Sequence, residues 1–138
     1  MTPRKLKFVL AEDNPGDVFL IRRAFDLEGF SYELLVAKDG EEAMRYVQEA
    51  AAGTRVIDLI LLDLNLPRYD GSEVLATLRR QPFLAAVPAV ILTSSNSQQD
   101  RERCLSLGAN HYFQKPSNLA AFMEIGKIAK ELVETRLA

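Results

Sequence analysis

One cysteine and one histidine occur in the 138 residues of this chain. A single cysteine, Cys104, excludes an intrachain disulfide and argues against a thiolate metal site. A single histidine, His111, excludes a multi-histidine centre, so any metal must be held by oxygen. Charge of one sign is also lacking. The 17 Lys and Arg against 19 Asp and Glu leave a net charge of −2, which gives no electrostatic footprint for nucleic acid or an anionic membrane. Behind the basic start, Met1-Thr2-Pro3-Arg4-Lys5, no apolar run is long enough for a signal peptide or membrane span, and a cytoplasmic home is the default. No repeat, linker or low-complexity segment interrupts the chain. No glycine-rich phosphate loop follows the first apolar run, because Asn14-Pro15-Gly16-Asp17 has one glycine.

What is present is the material of one ordinary soluble domain: 48% hydrophobic and 26% charged residues. The stretch Leu59 to Leu62 is unbroken apolar sequence, suited to a strand buried on both faces of a parallel sheet, and it ends on Asp63. Leu6 to Ala11 reads the same way and ends on Glu12-Asp13. Asn14, Pro15 and Asp17 then suit the N-cap, first and capping-box positions of a helix that Gly29 ends. Tyr32 to Ala37 is more polar and predicts an edge strand. Helices are expected from about Glu41 to Ala52 and from about Ser72 to Pro82. A fourth strand, Ala89 to Leu92, ends on Thr93-Ser94-Ser95. Ser97 opens a strongly polar helix that Gly108 ends, His111 to Gln114 form a fifth strand before Lys115-Pro116, and a last helix runs from about Asn118 to Arg136.

Five strands alternating with five helices predict a doubly wound α/β parallel sheet, with helices on both faces. In such a sheet the strand ends carrying Glu12, Asp13, Asp63, Thr93 and Lys115 share one edge, where ligands bind. Clustered carboxylates repel, so at least one takes up a proton unless a cation sits among them. Carboxylate and carbonyl oxygens suit a hard ion such as Mg²⁺. Lys115 is a compact charge able to meet a phosphoryl oxygen, and a carboxylate can attack phosphorus to give an aspartyl phosphate.

Glu12-Asp13, Asp63, Thr93 and Lys115-Pro116, with Gly71 and Gly108-Ala109 between them, resemble the response-regulator receiver family of two-component signalling. The resemblance covers about residues 5 to 133 and implies a single flavodoxin-like receiver domain over 1–138, strand order 2-1-3-4-5, with no output domain. It implies that Asp63 is the phosphoacceptor. Asp13, Asp63 and the backbone carbonyl of Asn65 would ligate Mg²⁺, with Glu12 completing the acidic pocket through water. Thr93 would be the switch hydroxyl, Tyr112 the coupled aromatic, Lys115 the phosphate contact, and Pro116 a cis-proline. The implied partner is a sensor histidine kinase or a phosphotransfer protein. Asp13-Asn14-Pro15-Gly16-Asp17 and Asp63-Leu64-Asn65-Leu66-Pro67 look most like stand-alone receivers that work with phytochrome-type kinases. A homodimer through the fourth helix, fifth strand and fifth helix is also implied, as is the absence of turnover chemistry beyond the domain's own phosphorylation and dephosphorylation.

Alternatives come from other classes. A haloacid-dehalogenase-type phosphatase also uses a strand-end Asp, Mg²⁺ and Lys, but it needs a second Asp where this chain has Asn65, and a cap insertion. An unphosphorylated docking receiver would not need the intact acidic pocket. Among single residues, Asp17 reads as a capping residue, Asp39 and Asp58 as turn residues, His111 as a strand residue and Cys104 as a small buried hydrophobe. Tyr112 reads equally as a core tyrosine or a moving switch.

Overall fold

A computed structural model describes residues 4–137. The chain runs β1 (Leu6–Ala11), α1 (Pro15–Leu27), β2 (Tyr32–Ala37), α2 (Gly40–Ala51), β3 (Leu59–Asp63), α3 (Gly71–Arg80), a 3₁₀ turn (Pro82–Leu84), β4 (Ala89–Thr93), α4 (Gln98–Ser106), β5 (His111–Gln114), α5 (Leu119–Phe122) and α6 (Glu124–Leu137). Every strand pairing is parallel, and the sheet order is β2-β1-β3-β4-β5. The order reverses between β1 and β3, which places a crevice beyond their carboxyl ends.

The two-residue period of the strands sorts the apolar side chains into two cores. Phe8, Leu10, Leu59, Leu61, Val90 and Leu92 pack with Ile21 and Phe25 of α1 and Ile125 of α6. Val9, Ala11, Ile60, Leu62 and Ile91 pack on the opposite face with residues of α2 and α3. Both faces of β3 and β4 are thus covered, as their continuous apolar sequences require. Asn14, Asp39, Asp70, Ser97 and Asn118 each cap a helix through their side-chain oxygens. Among the described residues, no helix is long and apolar enough to cross a membrane.

Two expectations change. The last helix is interrupted at Met123, where the Gly126 N–H turns back to the Met123 carbonyl at 3.1 Å. No proline or capping sequence marks this break. It adjoins Gly126, whose backbone is so close to α1 that an added Cβ would lie 2.6 Å from the Ala24 carbonyl oxygen. Asp58 is not a free turn residue. It is buried, takes both Arg4 guanidinium nitrogens at 2.8 Å and accepts the Lys7 N–H at 2.8 Å. Burial pushes its carboxyl up, but Arg4 and the Lys7 amide outweigh this and hold it below the usual range.

Gly126→Ala tests the close α1–α6 packing. Alanine raises helix propensity by about 1 kcal/mol, yet overpacking against a backbone oxygen costs about 1–3 kcal/mol. A net loss of stability in urea unfolding is the expected outcome.

Candidate functional site

The register carries the polar residues past the sheet edge like steps. Ala11 lies beside Leu62, Asp63 beside Leu92, and Thr93 beside Gln114, so Glu12, Asp63, Thr93 and Lys115 follow one another across four strands. Gly71 lets the loop after β3 close over this edge, because a Cβ there would sit 2.5 Å from the Asp63 carbonyl oxygen.

At the centre lies the Lys115 ammonium. It donates to Glu12 Oε1 at 2.6 Å, Asp17 Oδ2 at 2.8 Å and Asp63 Oδ2 at 2.8 Å. Three N–H donors meet three carboxylates, so none of the ammonium's hydrogen-bonding capacity is left over. Glu12 is 2% exposed and Asp63 6%, whereas Asp13 is on the surface. One oxygen from each of Glu12, Asp13 and Asp63 lies within 4.8 Å of the others, a hard-oxygen set suited to a divalent cation. The Asn65 N–H donates to Asp63 Oδ1 at 2.8 Å and fixes that carboxylate's plane.

Thr93 is fully buried. Its Oγ1 accepts the Ser95 N–H at 3.0 Å, and its carbonyl accepts the Lys115 N–H at 2.7 Å. Tyr112 is buried too, with its hydroxyl 3.5 Å from the Ser95 carbonyl and the Arg101 guanidinium 5.6 Å from its ring centre. The structure thus brings Glu12, Asp13, Asp63 and Lys115 together, and links Thr93 and Tyr112 to them through Ser95 and the Lys115 backbone.

The electrostatics follow from three carboxylates on one ammonium, with the exposed Asp13 beside Glu12 and Asp63. Burial raises the Glu12 carboxyl to about 7; the Lys115 ammonium opposes that rise and Asp63 adds to it. The proton expected from crowding of the acids is favoured at Glu12 chiefly because that carboxyl is buried. Burial works against the Lys115 charge, but Asp17, Asp63 and Glu12 hold its pKa above the ordinary lysine value.

Two site expectations are corrected. No peptide bond among the described residues is cis, so Lys115–Pro116 is trans. Trans is the lower-energy isomer of X–Pro by about 0.5–1 kcal/mol, and Lys115 reaches all three carboxylates with it. Asp17 does not close a capping box. The Asn14 N–H goes instead to Glu12 Oε2 at 3.2 Å, and Asp17 turns to Lys115. Ser95 joins the site without being singled out by sequence: its hydroxyl accepts the Ser97 N–H at 3.1 Å and donates to Asp100 at 3.2 Å. A serine two residues before an N-cap was the only available signal.

Comparison with known proteins agrees with this site. Residues 8–126 match the family described as response regulator receiver domain. The probable methanogenesis regulatory protein FilR2 of Methanothrix harundinacea is 37% identical over 127 residues, 91% of this chain and 80% of its own. The phosphorylated cyanobacterial phytochrome response regulator RcpA superposes with a TM-score of 0.84 at 36% identity, covering 96% of each chain. Response regulator Rcp1 of Synechocystis is 36% identical over 113 residues, 80% of this chain and 77% of its own. The Mn²⁺-bound form of Rcp1 superposes with a TM-score of 0.83 at 33% identity, covering 94% of this chain and 96% of that one.

The raised Glu12 pKa has a pH signature. An unfolded glutamate ionises near 4.5, so between 4.5 and about 7 the folded chain binds more protons than the unfolded chain. Stability must then fall as pH rises through that window. Metal-free protein is expected to lose on the order of 1–3 kcal/mol from this source between about pH 5 and pH 8. Urea unfolding across that range should show a flatter profile for Glu12→Gln.

Proposed function

This chain belongs to the response-regulator receiver family, and on that premise we propose that Asp63 receives the phosphoryl group of a two-component relay. The observation that carries the reading is a buried strand-end carboxylate set in an acidic cluster and bonded to Lys115. The donor is a phosphohistidine of a sensor kinase or phosphotransfer protein. A lone pair of the Asp63 carboxylate forms the new P–O bond as the P–N bond breaks, and the departing electron pair returns to the imidazole, which is then protonated. The Asn65 N–H and the Lys115 ammonium hold the carboxylate for this in-line approach. Asp13 and Asp63, with Glu12 behind them, would hold a divalent cation such as Mg²⁺, which would supply positive charge to the transferring oxygens. The Mn²⁺ of Rcp1 supports such an occupant.

The aspartyl phosphate carries roughly −1.5 to −2 charge and three strong acceptors. The Lys115 ammonium is the donor bonded to Asp63; the Thr93 hydroxyl, on the neighbouring strand and now bonded to the Ser95 N–H, would turn to the new oxygens, and Tyr112 touches the same Ser95. The responsive surface is α4, β5 and the last helices, where a partner or a second copy binds. The kinship with RcpA makes a phytochrome-type histidine kinase the favoured donor. The domain turns over nothing but its own phosphoryl group.

Incubation with acetyl phosphate and Mg²⁺, read by intact mass, tests the assignment. One phosphoryl group is expected on the wild-type chain and none on Asp63→Asn. An adduct that survives this substitution, or catalytic release of phosphate from added monoesters, would overturn it. Amide hydrogen exchange is expected to change in α4 on phosphorylation, and an unaltered α4 would remove it from the switch.

A further inference from the structure

Three elements send a carboxylate to the Lys115 ammonium, and one of those groups, Asp17, lies outside the candidate cation cluster. We propose that Asp17 is a positioning residue for phosphoryl transfer, holding the Lys115 ammonium against Asp63 from the first turn of α1. The proposal rests on Asp63 being the acceptor.

The local chemistry of α1 leaves Asp17 free for this task. Asn14 Oδ1 already takes the Gly16 and Asp17 N–H groups, and Glu12 takes the N–H of Asn14. The capping positions are filled without the Asp17 carboxylate. Its one side-chain hydrogen bond among the described residues is the 2.8 Å contact with Lys115. That contact spans 98 residues of sequence, so it ties α1 to the end of β5.

The need for a tether follows from what happens at Asp63. Lysine is a point charge on a flexible four-carbon stem, and its three donors are committed to Glu12, Asp17 and Asp63. When Asp63 forms its bond to phosphorus it ceases to be a carboxylate anion. The ammonium's third partner must then become a phosphoryl oxygen. With Glu12 as the only remaining anchor, the ammonium could pivot out of reach. Asp17 supplies the second anchor, so the donor stays where the new oxygen arrives. A misplacement of about 1 Å is enough to cost a large factor in rate.

Two measurements decide the matter together. Adduct formation with acetyl phosphate and Mg²⁺ is followed by intact mass for wild type and Asp17→Asn. Urea unfolding without metal is followed for Asp17→Asn, Lys115→Met and the double variant. Asp17→Asn is expected to form the adduct about tenfold more slowly. The midpoint shifts of the two single variants are expected to sum to more than the shift of the double variant, because each single removes the same contact. An unchanged rate overturns the proposal. So do additive midpoint shifts, which would mean that Asp17 acts only within its own helix turn. A wild-type chain that takes no phosphoryl group overturns the acceptor assignment itself, and the positioning role with it.

Discussion

An ammonium ringed by carboxylates is the constraint on which the rest of this molecule depends. Two unit charges 4 Å apart interact by about 4 kcal/mol at an effective dielectric near 20. Glu12, Asp13 and Asp63, each with an oxygen within 4.8 Å of the others, therefore repel one another, and Lys115 offsets part of that repulsion. Burial is the main cause of the rise of the Glu12 carboxyl to about 7; the Lys115 ammonium opposes it and Asp63 adds to it. A site so arranged is short of positive charge by design of its donor set. A proton on Glu12 relieves it below about pH 7, and a divalent cation held there would relieve it above.

The fold makes this crowding tolerable by spending it at one edge. Parallel pairing brings every strand to its carboxyl end on the same side; the register sets Glu12 level with Asp63, Thr93 one position further and Lys115 one further again. The apolar cores below contain no comparable charge; Asp58, at the opposite end of β3, is neutralised by Arg4. Backbone donors finish the job. The Asn65 and Asn14 amides each satisfy a carboxylate oxygen that would otherwise be buried without a partner. Gly71 allows the β3–α3 loop to seal the edge from the side.

Most of this was legible in sequence because it rests on local rules. Strand limits at Ala11, Ala37 and Gln114 follow from apolar runs that stop at polar residues, and the N-caps Asn14 and Ser97 follow from side-chain chemistry. What escaped depended on which way a side chain turns, or on contact across the chain. Asp17 stands three residues after Asn14, the capping-box spacing, and nothing in that spacing reveals a lysine 98 residues away. The break at Met123 has no local cause in sequence, since it goes with Gly126 meeting the backbone of α1. In the last helix the i, i+4 row Ile125, Ala129 and Val133 faces the core and leaves Leu132 half-buried. Nothing in the sequence around Lys115-Pro116 fixes its isomer; the cis expectation rests on family resemblance alone.

The helix that follows Thr93, α4, is held by little apolar burial. α1 buries Ile21, Ala24 and Phe25, and large apolar side chains contribute about 1.5–3 kcal/mol each when fully buried. α4 buries Cys104 alone. Its remaining attachments are polar: Asp100 to Ser95, and Arg103 to Ser72 of α3 at 3.0 Å. Such bonds contribute about 0.5–1.5 kcal/mol net, because water replaces them when they open. Ser95 is at once the residue that fixes the Thr93 hydroxyl, the acceptor beneath Tyr112 and the partner of Asp100. A change in what Thr93 bonds to is therefore felt first at the serine that steadies α4. Because α4 has so little apolar burial to lose, a few hydrogen bonds redistributed at Ser95 are comparable to everything that holds it, whereas the same change would leave α1 in place.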